Sequence, residues 1–218
     1  MKEEKAPAKA RAHIRYKNKK GKIVPGVTTI LSVLNKPALI PWANNLGLKG
    51  IDCTKYRDSM ADIGTIAHLM ILEHLSGKNQ DLSEYSGADI DKAENCLISF
   101  FEWERSNRIS PILVEEPLVS EKYQFGGTID CYGDLDGKPT LIDFKTSKAI
   151  YPEMVHQVAA YKKLLMENGH QVERVRILRI GRSNDEGFED RLCRAMEENW
   201  KLFYHCLGIY NLKKKIKG

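Results

Sequence analysis

The sequence lacks most of the features that would settle its class at a glance. It has no apolar run long enough to span a bilayer. Its first fifteen residues are charged and carry no apolar stretch of the signal-peptide kind, so the chain is expected to be cytoplasmic, with no membrane partner. It has five cysteines, an odd number, and they are scattered without a C-x-x-C pair. That spacing argues against a disulfide framework and a structural zinc site, and buried or inert thiols are expected instead. The phosphate-cradling pattern G-x-x-x-x-G-K-[ST] is absent, which argues against a built-in ATPase or helicase and for a stand-alone protein. No internal repeat and no linker divides the chain.

What is present is an ordinary globular composition. Of the 218 residues, 42% are hydrophobic and 29% charged, enough for one domain with a sizeable core. The formal net charge of +5 leans toward a polyanionic partner. Much of the excess lies at the ends, in residues 11–22 and in Lys213-Lys214-Lys215, where solvated tails are an equal alternative.

The patterning predicts helices first and a sheet second. Residues 1–12 are Lys, Glu, Ala and Pro without periodicity and are expected to be disordered. Residues 14–24 suit a short hairpin around Lys20-Gly21. A turn at Pro25-Gly26 then feeds an apolar helix for which a threonine, Thr28 or Thr29, is a natural N-cap. Further helices are expected to about Gly47, over residues 54–75 with Gly77 just past the end, and over residues 90–105. Strands are expected over 112–119, 125–135 and 138–145, then a helix over 152–168, a strand over 172–180 and a closing helix over 186–212. The expected organisation is one domain over 1–218, with a helical part at 25–108 and a β-β-β-α-β-α core at 111–212.

Chemistry concentrates in one hairpin. Asp136-Gly137 is a strong signal for a two-residue turn. If Leu135 faces Lys138, counting back sets Asp130 directly opposite Asp143, with β-carbons roughly 4.5–5.5 Å apart. Lys145 then shares the face of Asp143, while Ile129, Ile142 and Phe144 point the other way, into a core. A slip of one residue would break this alignment. Facing carboxylates repel unless one is protonated or a cation lies between them, and aspartate oxygens suit a hard ion such as Mg²⁺ or Mn²⁺. A lysine beside such a pair can hold a phosphate or orient a water, and the set together suits phosphodiester hydrolysis. A plain surface salt bridge between Lys145 and the aspartates is the alternative.

Gly126-Gly127-Thr128-Ile129-Asp130, then Asp136-Gly137, then Leu141-Ile142-Asp143-Phe144-Lys145-Thr146-Ser147-Lys148 resembles the signature of the RecB-like branch of the PD-(D/E)XK nucleases. Gln157-Val158-Ala159-Ala160-Tyr161 resembles that family's Q-x-x-x-Y motif. Gly64-Thr65-Ile66-Ala67-His68 resembles its upstream G-x-x-x-H motif, and Val27-Thr28-Thr29-Ile30-Leu31 the opening of its phage and mitochondrial members. The pieces stand in the family's order from about residue 25 to 182. The first carboxylate is not preceded by proline, as is usual in this branch.

The resemblance implies a fold, a site and an activity. The fold is an α/β restriction-endonuclease-like core, a central mixed sheet flanked by helices, with an N-terminal helical extension. Asp130, Asp143 and the backbone carbonyl of Phe144 would bind the metal, and Lys145 would position or activate the attacking water. His68 would be a further ligand, though a hydrogen-bonded core histidine is the commoner fate of a lone His. Gln157 and Tyr161 share one helix face and would lie beside the site, although Tyr161 could be a plain core aromatic. Glu115 matches an acidic position on the preceding strand, with Glu116 as a competitor. Thr28, Thr29 and Lys148 would contact phosphates, and Trp42 either stacks on a base of a single strand or packs between helices. No iron–sulfur cluster is expected, because the C-terminal cysteine cluster that holds one in some members is missing. The expected activity is a Mg²⁺- or Mn²⁺-dependent deoxyribonuclease, an exonuclease acting on single strands or duplex ends in recombination, replication or repair, in a bacterial or phage-infected cell. A structure-specific endonuclease and an inactive DNA-binding copy of the fold are the alternatives.

Overall fold

The computed structural model describes residues 15–181 and 186–217. The segment expected to be disordered, 1–12, lies outside the described residues, as do His13 and the start of the basic stretch 11–22.

The strands are β1 (Ile109–Ser120), β2 (Phe125–Leu135), β3 (Lys138–Lys145), β4 (Arg174–Ile180) and β5 (Phe188–Leu192). They form one mixed sheet in the order β1-β2-β3-β4-β5. The β3–β4 pair is parallel and the other pairs are antiparallel. The helices are α1 (Val27–Leu31), α2 (Leu39–Leu48), α3 (Cys53–Ser76), α4 (Gly87–Ser106), α5 (Pro152–Glu167) and α6 (Met196–Lys217). The core has two parts. Ile30, Phe125, Ile129, Leu141, Leu164 and Phe203 bring α1, α5 and α6 against one face of the sheet. Ile66, Ile71, Cys96, Phe100, Ile142 and Leu178 bring α3 and α4 against the other. The molecule is therefore an α/β structure with a five-stranded mixed sheet flanked by helices, and the expected N-terminal helical part supplies α3 and α4 to one layer and α1 to the other. Among the described residues no helix is long and apolar enough to cross a membrane.

Local chemistry accounts for most element ends. Asp136 and Gly137 both have positive φ, +52° and +77°, as a tight hairpin turn of the primed kind requires. The turn is tied down by the Gly137 N–H donating to Asp134 Oδ1 (2.7 Å) and the Arg108 N–H to Asp136 Oδ1 (3.0 Å). Leu135 pairs with Lys138, the register on which the reading of the site depends. Asp52 caps α3 by accepting from the Thr54 and Lys55 N–H groups, and left-handed Gly77 ends it. Ser86 caps α4 by accepting from the Asp89 N–H. The N-terminal hairpin is present, with Lys17 bridged to Ile23.

Two expectations are corrected. Neither Thr28 nor Thr29 caps α1: the cap position is Gly26, and both threonines are exposed within the helix. The helix starts early because the Gly26 carbonyl already accepts from the Ile30 N–H (3.0 Å), while Gly26 is bridged to Gly126. The closing helix predicted over 186–212 begins only at Met196, and Phe188–Leu192 is an edge strand. Glu and Arg favour helix locally. The strand is held instead by partners remote in sequence, with Asp190 accepting from Arg176 Nη1 (2.6 Å) and Trp103 Nε1 (2.8 Å). Charged side chains on an edge strand also discourage pairing with another chain.

Candidate active site

The site forms where β2 and β3 part. Their ladder runs from Leu135↔Lys138 to Cys131↔Ile142 and stops one step before Asp130 and Asp143. There the Phe144 N–H donates to Asp130 Oδ2 (2.9 Å), so a side chain takes up the ladder's next donor. This break also corrects the expected faces. Ile142 and Phe144 pack toward α3 and α4, as does Cys131, but Ile129 packs on the α5 side. Strict alternation counted from the turn holds only while the ladder does.

Two ion pairs occupy the opening. His68 Nε2, from α3, lies 3.1 Å from Asp130 Oδ2. Lys145 Nζ lies 2.6 Å from Asp143 Oδ2, and the Asp143 side chain is only 1% exposed. Beyond that contact, the Asp143 oxygens have no hydrogen-bond partner among the described residues. A buried carboxylate with its lone pairs unsatisfied is costly unless a cation serves it.

Burial and neighbouring charges split the carboxylates. Burial pushes Asp143 up to about 6, with Lys145 opposing and Asp130 adding to the rise. Burial would raise Asp130 too, but His68, Lys145 and the Phe144 N–H outweigh it and hold Asp130 below its ordinary value. Burial works to lower Lys145 and His68, yet both stand above their ordinary values: Asp143 and then Asp130 raise Lys145, and Asp130 raises His68. The phenol of Tyr161 is driven well up by burial and by the charges of Asp143 and Asp130.

Glycines bring the elements this close. A Cβ on Gly64 would collide with Thr146 Oγ1, so glycine lets α3 lie against the chain leaving β3, and carry His68 to Asp130, without displacing the Thr146 side chain. A Cβ on Gly127 would strike the Tyr161 ring. Tyr161 is buried on α5, and its hydroxyl accepts a hydrogen bond from Gln157 Nε2 (2.8 Å). Gly126 makes room for Tyr16 of the N-terminal hairpin, whose hydroxyl lies 3.0 Å from Thr128 Oγ1. Between α3 and the end of β3 lies a hollow of about 300 Å³, walled by His68, Asp130, Phe144, Lys145, Thr146 and Ser147.

The structure thus gathers His68, Asp130, Asp143, Phe144 and Lys145, with Tyr161 and its partner Gln157 alongside. Others stand apart. Glu115 lies in β1 between the pairs Val114↔Cys131 and Glu116↔Ile129, across from Asp130, but its side chain is exposed. Its φ of +53° kinks the edge strand at that point. Thr28 and Thr29 are exposed on α1, outside the hollow. Trp42 and Lys148 border a neighbouring hollow. The sequence reading overlooked Tyr16 and Arg179. Arg179 is buried beneath the chain that follows β3 and donates to the carbonyls of Glu186 (2.6 Å) and Ser147 (3.3 Å). Its strand, β4, alternates apolar and basic residues at Arg174 and Arg176, and Arg179 follows two consecutive apolar residues, so it falls out of that alternation.

Among the described residues, no three imidazole, thiolate or carboxylate groups close on one point as a ready metal cage. The donor chemistry nevertheless fits Mg²⁺, which binds through one or two carboxylates, keeps several waters and needs no all-protein cage. The observation in favour is that the buried Asp143 oxygens have no partner but Lys145 among the described residues. The cysteines fit no such role: all five are free, and burial pushes Cys131 up to about 12 and Cys193 up to about 11.

No family model matches the chain. No curated protein matches it. Among solved structures, it is similar to a crystal structure of "Putative exonuclease" from Eubacterium rectale, over 68% of this chain and 68% of that one, with 10% sequence identity and a TM-score of 0.48.

Proposed function

We propose that this protein is a metal-dependent deoxyribonuclease of the RecB-like PD-(D/E)XK kind, acting as an exonuclease on single strands or duplex ends. The observation that carries this reading is one hollow holding Asp130, His68 and Lys145 around a buried Asp143 whose oxygens have no partner but Lys145 among the described residues. Asp130, Asp143 and the Phe144 carbonyl, with His68, would hold Mg²⁺ or Mn²⁺. When bound, the ion supplies charge neutralisation at the phosphate and activation of water. The carboxylates of Asp143 and Asp130 hold Lys145 above its ordinary value. Lys145 would position or activate the attacking water, or steady a phosphate oxygen. Its flanking carboxylates keep it pointed into the site. Tyr161 stays protonated, and its hydrogen bond from Gln157 fixes the ring against β2 at Gly127.

The test is digestion of end-labelled single-stranded, linear duplex and closed circular DNA with Mg²⁺, Mn²⁺ or EDTA. Linear substrates are expected to be lost only with metal, and circles to be spared. The Lys145→Ala variant is expected to cut at least about 10²-fold more slowly. Cutting of circles would replace exonuclease by endonuclease. No cleavage under either ion would remove the deoxyribonuclease reading and leave RNA as the substrate or an inactive DNA-binding fold.

A further inference from the structure

A second hollow, also of about 300 Å³, adjoins the site and shares Ala61, Thr146 and Ser147 with it as a common wall. Its other sides carry three aromatic residues, Trp42, Tyr56 and Tyr151, and two cations, Arg57 and Lys148. Among the described residues no carboxylate lines it. The Trp42 and Tyr56 rings lie 6.4 Å apart at 55°, so they form an angled wall, not a closed stack. These aromatics are poor candidates for core packing. Trp42 is 36% exposed and Tyr151 44%, and α2, which carries Trp42, buries none of its residues. Arg57 is paired with exposed Asp58 (2.8 Å), whereas Lys148 forms no ion pair among the described residues.

Open aromatic faces beside cations suit a ligand with flat rings and a negative backbone. Bases inside a duplex are stacked on each other and cannot offer their faces, so the fitting ligand is unpaired. We propose that this hollow is a subsite for single-stranded DNA. It takes the unpaired nucleotides next to the phosphate held at Lys145, with bases against Trp42 and Tyr151 and a phosphate on Lys148. The proposal rests on the nuclease reading and narrows it to substrates with an unpaired end.

The molecule contains its own reporter. Trp103 and Trp200 are buried, at 8% and 7% exposed, so a ligand that quenches tryptophan emission by stacking acts on Trp42. The full chain would be titrated with fluorescein-labelled oligo(dT) of about 12 nucleotides, within the range of single-strand sites, and with a blunt DNA hairpin. Ca²⁺ would replace Mg²⁺, and both anisotropy and tryptophan emission would be read. The single strand is expected to bind and to quench. Trp42→Ala is expected to weaken single-strand binding by about tenfold, the scale of one lost base stack, and to leave hairpin binding unchanged. Trp42→Phe keeps a stacking ring, so binding is expected to persist while quenching disappears. Unquenched binding that Trp42→Ala leaves intact, in a protein that still cleaves DNA, overturns the subsite alone. Equal dependence of the hairpin on Trp42 overturns the single-strand assignment. Absence of binding and of Mg²⁺-dependent cleavage overturns the subsite together with the nuclease reading.

Discussion

Asp143 and Lys145 show how far two residues can be pushed by one environment. Asp143 is raised because burial and Asp130 together outweigh Lys145, while Asp130 is lowered by cations that reach it more fully. For Asp143 the folded value is about 6 against an ordinary 3.8, so between these the folded chain holds a proton that the unfolded chain has lost. The stability contributed by that proton is present at the acid end of the window and falls away as pH rises through it. A metal ion competes with the same proton, and with the one that His68 holds more firmly than usual. The rise in Tm caused by Mg²⁺ is therefore expected to be large at about pH 7.5 and nearly absent at about pH 5. Thermal melts at both pH values, with and without Mg²⁺, would measure it. A Mg²⁺ effect that ignores pH would remove Asp143 and His68 from the ligand set.

At the scale of elements, the site depends on how closely α3 approaches the end of β3. Alanine is a better helix residue than glycine by about 1 kcal/mol. Gly64→Ala is nevertheless expected to destabilise by about 1–3 kcal/mol, because the new methyl meets Thr146 and overpacks the contact. Cleavage should fall as well, since His68 moves with the helix. Thr146→Ala in the same chain removes the colliding hydroxyl and should recover most of the lost stability. Denaturant unfolding of both single variants and the double variant supplies the coupling. If the two changes simply add, α3 is not held at this distance by Gly64. The same logic runs through β2, where Gly126 and Gly127 admit Tyr16 and Tyr161.

For the molecule as a whole, the sheet is closed at its β5 edge by a polar knot. Asp190 joins β5 to Arg176 on β4 and to Trp103 on α4, and so ties one edge strand to the helical layer that carries His68. Asp190→Ala leaves a guanidinium and an indole N–H without their partner, at a cost of about 2–3 kcal/mol. A fall in Tm of roughly 4–10 °C is expected for a chain of this size, with β5 losing hydrogen-exchange protection first. An unchanged Tm would mean that backbone pairing alone secures this edge. The other edge strand, β1, is defended differently, by Pro111, Pro117 and the kink at Glu115.

Much of this was legible in the chain itself, wherever the cause is local. Asp136-Gly137 dictates its own turn, and the turn sets the register from Leu135↔Lys138 to Cys131↔Ile142, with Asp130 and Asp143 one step beyond it, where the strands part. Helix ends at Asp52, Gly77 and Ser86 follow from capping chemistry that a short window contains. What escaped the sequence has its cause far away along the chain. The strand at Phe188–Leu192 exists because Arg176 and Trp103 reach it, against its own helical leaning. Ile129 changed face because Asp130 took the Phe144 N–H and ended the ladder early. The partners of the site residues, His68 to Asp130 and Lys145 to Asp143, became definite only when packing brought α3 onto the end of β3, where a single glycine leaves room for it. Local chemistry chose the residues and their register, and tertiary packing decided which charges meet and how deeply they are buried.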